Sequence, residues 1–128
     1  MNTEVNEVTI NNVDYIRKDL VNVSPAKNTD GLDYVIIRSR DSGVHAGYAY
    51  DVSEDSTSAC VELHNSRRLY YWDGAATLSQ LSQEGVKLPD NCKFTQAIPV
   101  ITVYGVCEVI PASVEAQKNI EAVPVWKR

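Results

Sequence analysis

From Tyr34 to Val52 the side chains repeat with a period of two. Val44, Ala46, Tyr48, Tyr50 and Val52 share one face, while His45, Gly47, Ala49 and Asp51 share the other. That period belongs to an extended strand, because helical faces repeat every 3.6 residues. In the preceding segment, Asp33–Arg40, the residues Tyr34, Ile36, Arg38 and Arg40 lie on one face and Val35 and Ile37 on the other. Apolar residues on both faces predict a central strand, covered from two sides. Asp41-Ser42-Gly43 joins the two strands by a turn. Gly47 in mid-strand predicts a bulge or the close approach of another backbone. A chain built around this hairpin is committed to an antiparallel sheet.

The rest of the sequence extends that sheet. Glu7–Asp19 predicts a hairpin turning at Asn11-Asn12, and Asn22–Leu32 is a loop rich in Asn, Ser, Pro, Asp and Gly. Ser53–Ser58 reads as an acidic loop, Cys60–His64 as a short strand, Asn65-Ser66 as a turn and Arg67–Trp72 as the next strand. Ala75, Leu78 and Leu81 have helical spacing over Ala75–Gln83, with Gly85 as its C-cap. Lys87–Ile98 is irregular. Val100–Ile110 is one bulged strand or two short ones, broken at Gly105. Ser113 caps a last helix to about Ala122, with Glu115 near its positive end and Ala116, Ile120 and Val123 facing inward. The tail Pro124–Arg128 is expected to fold back, since an exposed terminal Trp126 is costly. The fold class is α+β: an antiparallel β-meander or partial barrel with two short helices late in the chain. Residues 1–128 suit a single domain, with 1–6 as a flexible N-terminus.

Charge and motifs narrow the function. A net charge of −5 opposes non-specific nucleic-acid binding and attraction to anionic membranes. No apolar run reaches the roughly 20 residues of a membrane span, and the N-terminus lacks the pattern of a signal peptide, so a cytosolic protein is expected. Three cysteines, Cys60, Cys92 and Cys107, suit neither a disulfide framework nor a zinc motif. Cys60 and Cys107 read as buried thiols, while Cys92, in a loop beside Lys93, is open to slight activation. His64 and Cys60 would stand roughly 13 Å apart along a strand, too far to share a metal. No Walker loop, dinucleotide-binding glycine fingerprint, HExxH or GxSxG pattern occurs, so no catalytic residue, cofactor or metal is expected.

The arginines point toward binding. Arg38 and Arg40 share a strand face with roots about 7 Å apart. Arg67 or Arg68 on a neighbouring strand would join them, with Tyr70 and Trp72 alongside. Guanidinium forks beside aromatic rings suit a phosphate with a stacked base. The competing reading pairs these arginines with Asp33, Asp41, Asp51 and Glu62 on the sheet rim. Ser79 and Gln80, on the outer side of the first helix, add uncharged hydrogen-bonding groups to the candidate ligand-binding set. An uncovered aromatic face also suits self-association into a homo-oligomer.

The chain resembles a family of small uncharacterised proteins of tailed phages and prophages, known as a domain of unknown function. The resemblance rests on Val13–Asp19, on Tyr34–Arg38 followed by Ser42–Tyr48, and on Asn65–Ala76 with Leu78–Leu81 and Glu84–Val86. It continues at Cys92–Phe94, Val109–Pro111 and Val123–Trp126, and departs from the family pattern at Tyr70, where tryptophan is usual. It implies a phage product acting in the host cytoplasm. The arginine-aromatic cluster adds a phosphate-containing small molecule or a host protein as the expected partner. A non-enzymatic accessory protein that binds and neutralises a host factor is one expectation, with sequestration of a nucleotide immune signal as its sharper form. A virion or assembly component is the other.

Overall fold

The computed structural model describes residues 26–27, 31–54 and 59–127. The predicted hairpin Glu7–Asp19, residues 1–6 and most of the Asn22–Leu32 loop lie outside the described residues. Among the described residues, the strands are β1 (Tyr34–Ser39), β2 (Gly43–Glu54), β3 (Ala59–Tyr71), β4 (Lys93–Phe94) and β5 (Ile98–Pro111). Helix α1 (Leu78–Glu84) and a 3-10 turn (Pro89–Asn91) lie between β3 and β4, and α2 (Val114–Ala122) follows β5.

All strand pairings within the sheet are antiparallel, in the order β2-β1-β5-β3-β4. Because β2 also pairs with β3, the strands β1, β2, β3 and β5 close into a ring, short of a barrel. The first three strands form a meander. The long β5 then returns between β1 and β3 and completes the cycle.

β1 is the central strand that its two apolar faces predict. Val35 and Ile37 join Val61, Leu63, Val103 and Val106 in a core to which β1, β3 and β5 contribute. Tyr34 and Ile36 join the larger core beneath the helices, with Tyr48, Leu69, Leu81, Phe94 and Ile120. Full burial of one such aliphatic side chain is worth about 1.5–3 kcal/mol, so the two faces of β1 anchor both cores.

The second helix begins and ends on the expected residues, whereas the first starts at Leu78, three residues after the expected Ala75, and ends at its expected cap. Thr77 accepts from the Gln80 amide at the start of α1, and Gly85 caps its end. Ser113 accepts from the Ala116 amide to start α2, with Glu115 in the first turn and Ala116, Ile120 and Val123 buried. β5 is the single bulged strand, not two short ones: its pairing steps from Val61↔Val103 to Ala59↔Val106 around Gly105, at φ 67°.

The turn predicted at Asn65-Ser66 is instead a bulge within one continuous strand. Asn65 takes φ 52°, and the pairing with β2 shifts from Tyr48↔His64 to Ala46↔Arg67, so β3 carries one extra residue there. A left-handed residue occurs in bulges as well as in turns, and here β2 pairs with β3 on both sides of it. The extra residue exchanges the two faces of β3. Val61 and Leu63 enter one core and Leu69 the other, although all three are odd-numbered. Gly47 lies against the bulge, where a Cβ would come 3.1 Å from the Ser66 Cα and 3.2 Å from the His64 carbonyl oxygen. Both expectations for Gly47, a bulge and a close backbone, are met. Gly47→Val should lower unfolding free energy by about 1–3 kcal/mol in chemical denaturation. An unchanged midpoint would mean that this contact does not constrain the fold.

Candidate functional site

Just past the bulge, two consecutive arginines take opposite directions. Arg67 turns inward and is 5% exposed. Its Nε donates to the Thr95 carbonyl at 2.7 Å, and Nη1 donates to the Ile120 and Val123 carbonyls, both at 2.8 Å. Nη2 donates to the Phe94 and Pro124 carbonyls at 3.3 and 3.5 Å. A guanidinium has five N–H donors, and each has an acceptor here. The Phe94 ring lies 5.5 Å from the guanidinium carbon. Burial pushes the Arg67 pKa down, opposed by the nearby Tyr34 and Glu121. Arg67 therefore ties β3 to β4 and to the end of α2. It does not join Arg38 and Arg40 as an anion ligand, because no donor is left over.

Arg68 turns outward. Among the described residues, its guanidinium has no carboxylate within salt-bridge distance and no hydrogen-bond acceptor. β2 and β3 stay paired up to His45↔Arg68 and then part. Beyond that point β3 pairs with β4 along Leu69 and Tyr71. Where β2 leaves, a cleft of about 620 Å³ opens, lined by Asp41, Ser42, Gly43 and Val44 on one side and Arg68, Leu69, Tyr70 and Trp72 on the other. A smaller hollow of about 220 Å³, lined by His45, Ser66, Thr95, Gln96, Ile98 and Ile101, also has Arg68 in its wall.

His45 connects the two hollows. It is 1% exposed, and its Nε2 lies 3.2 Å from the Ser42 hydroxyl of the cleft. Burial, followed by the charge of Arg68, holds its pKa below the ordinary 6.5. The ring is thus neutral at pH 7, and the Arg68 guanidinium is the positive group of the cleft wall.

Of the predicted site residues, Arg68, Tyr70 and Trp72 meet in the cleft. Arg38 does not: its Nε pairs with Glu108, its cross-strand neighbour on β5, at 3.0 Å. That is the rim reading, with a partner from a strand that the earlier candidates did not include. Arg40 is exposed, with its backbone amide donating to Gly105, and does not line the cleft. Gln80 supports the start of α1, accepting from the Ala76 amide and donating to Glu84, and Ser79 accepts from the Ser82 hydroxyl through its carbonyl. Neither lines the cleft. The strand between β1 and β3 was the missing information: at this level β2 lies between them, with Arg38 opposite Val44 and Arg68 opposite His45, and this separates Arg38 and Arg40 from Arg68.

Cys107 and Cys92 exchange their expected places. Cys107 is exposed, with its thiol donating to the Arg38 carbonyl, and Cys60 is half-buried. Cys92 is buried, and burial raises its pKa, so it is not activated by Lys93. The bulge at Gly105 sets the outward direction of Cys107.

The family model described as a domain of unknown function (DUF6948) matches residues 32–120. The chain belongs to this family. No curated protein and no solved structure matches it. The family span contains every residue that lines the cleft, and it ends before the carbonyls of Val123 and Pro124 that Arg67 holds. Among the described residues no helix is long and apolar enough to cross a membrane.

Adjacent arginines should therefore respond in opposite ways. Arg67→Met should lower stability by about 3 kcal/mol or more, because several buried carbonyls lose a charged donor. Arg68→Met should change it by less than about 0.5 kcal/mol. Equal losses in denaturant melts would contradict this division of roles.

The buried His45 sets a pH dependence. Above the ordinary value of 6.5 its ring is neutral in both the folded and the unfolded chain. As pH falls through that value the unfolded chain takes up the proton first, and stability is lost down to the lower folded pKa. Unfolding midpoints should fall between pH 7.5 and 5.5, with a shallower fall in His45→Gln; equal slopes in the two proteins would remove His45 as the cause.

Proposed function

We propose that this chain is a non-enzymatic phage accessory protein that binds a phosphate-bearing small molecule in the host cytoplasm and withholds it from a host response. The observation that carries the reading is Arg68: a guanidinium without a carboxylate partner among the described residues, in a 620 Å³ cleft beside Tyr70 and Trp72. Guanidinium forks recognise phosphate through paired charge-assisted hydrogen bonds, and exposed aromatic rings stack on planar bases. Asp41 on the opposite wall is an acceptor suited to sugar hydroxyls. The Ser42 hydroxyl beside His45 offers a further polar contact. The phage setting rests on the resemblance stated above, carried by the Asn65–Ala76 motif that forms one wall of the cleft.

A second reading, a virion or assembly component, is favoured by exposed apolar side chains on β2 and β5. Tyr50, Val100 and Tyr104 are 59%, 52% and 71% exposed. Such surfaces suit contact with another subunit. Mass spectrometry of purified virions separates the two readings, since an accessory protein is absent from particles.

Calorimetry tests the first directly. The protein should bind at least one of AMP, a cyclic dinucleotide or a cyclic ADP-ribose isomer, and Arg68→Ala should weaken that affinity about tenfold or more. Absence of heat with all of them overturns the nucleotide reading.

A further inference from the structure

The cleft wall has support from the far end of the chain. Tyr70 stacks on Trp126, with ring centroids 5.5 Å apart and planes 2° from parallel. The Lys93 ammonium lies 5.3 Å from the centre of the same indole. Trp126 is held by a series of anchors. Arg67 binds the Val123 and Pro124 carbonyls, Val125 bridges to Phe94, and the Trp126 amide donates to the Phe94 carbonyl at 2.9 Å. The tail therefore takes its position from β3 and β4.

Even with one face against the indole, Tyr70 is 66% exposed. A tyrosine that open on a strand would otherwise exchange rotamers, and stacking on a fixed indole confines its ring. Arg68 and Tyr70 stand two residues apart on one face of β3, so their roots are about 7 Å apart. A phosphate held at Arg68 would carry an attached planar group toward the ring of Tyr70.

We infer that Tyr70 is a preset stacking platform for the planar group of a phosphate-bearing ligand, and that Trp126 is the positioning residue that sets it. The inference rests on the reading of the cleft as a phosphate site and specifies the ligand as one with a flat ring, such as a nucleotide. A preset ring loses little freedom on binding, and that lowers the cost of association. Trp126 does not touch the ligand in this arrangement. Its effect passes through Tyr70.

Two probes separate the platform from the phosphate site. AMP and ribose 5-phosphate share the phosphate and the sugar, and only AMP has a base. The full chain should bind AMP about tenfold more tightly than ribose 5-phosphate in calorimetry. Trp126→Ala should reduce that preference severalfold while leaving ribose 5-phosphate affinity unchanged, and Trp126→Phe, which keeps a stacking ring, should restore it. Tyr70→Leu should remove the preference as well and does not disturb the tail anchors, so it serves if Trp126→Ala fails to fold. Binding of neither probe overturns the platform, and the phosphate reading falls with it when the cyclic nucleotides give no heat either. Equal affinity for both probes overturns the platform alone. A Trp126→Ala protein that is less stable but keeps the full preference for AMP shows that Trp126 is structural only, and overturns its positioning role.

Discussion

The arrangement of this molecule depends on a single buried guanidinium. Among the described residues Arg67 forms no ion pair, and it satisfies its five donors on backbone carbonyls of Phe94, Thr95, Ile120, Val123 and Pro124. Two of those carbonyls flank the end of β4, and the others belong to the last turn of α2 and the segment after it. Helix C-termini leave carbonyls without intrahelical partners, and a cation there also meets the negative end of the helix dipole. One side chain thus joins three segments that are distant in sequence. The price is desolvation of a charge, which dense hydrogen bonding offsets.

That geometry follows from the bulge at Asn65. A strand sends alternate residues to opposite faces, so Val61, Leu63, Arg67 and Leu69 would share one face of a regular β3. The extra residue moves Arg67 and Leu69 under the helices and leaves Arg68, Tyr70 and Trp72 beside the cleft. Gly47 permits it, because Ser66 approaches too closely for a side chain opposite. The structural arginine and the exposed one differ by one position and serve different ends: one fixes the tail that carries Trp126, and the other stands beside Tyr70, on which that tryptophan stacks.

Much of the local structure was legible in the residues. The two apolar faces of Asp33–Arg40 announced a central strand, Ser113 and Gly85 marked helix ends, and the terminal tryptophan announced a returning tail. Asn65-Ser66 was legible as a break in a strand, yet a turn and a bulge have the same local signal, and only the continuation of β2 distinguishes them. The candidate site was legible in part for the same reason. Arg68 and Tyr70 share β3, with Trp72 just past its end, and stay together, whereas Arg38 and Arg40 depend on which strand lies beside β1.

The sequence by itself determined the antiparallel sheet, its central strand, the two late helices and the Arg-aromatic composition of one strand, because side-chain periodicity and capping act over a few residues. The tertiary structure alone decided which arginine is buried, which is exposed, that β2 and β5 both stand between β1 and β3, and that Trp126 meets Tyr70. Those outcomes depend on long-range pairing and on the one-residue shift of a bulge, and an alternation pattern carries no record of the strand that will lie next to it.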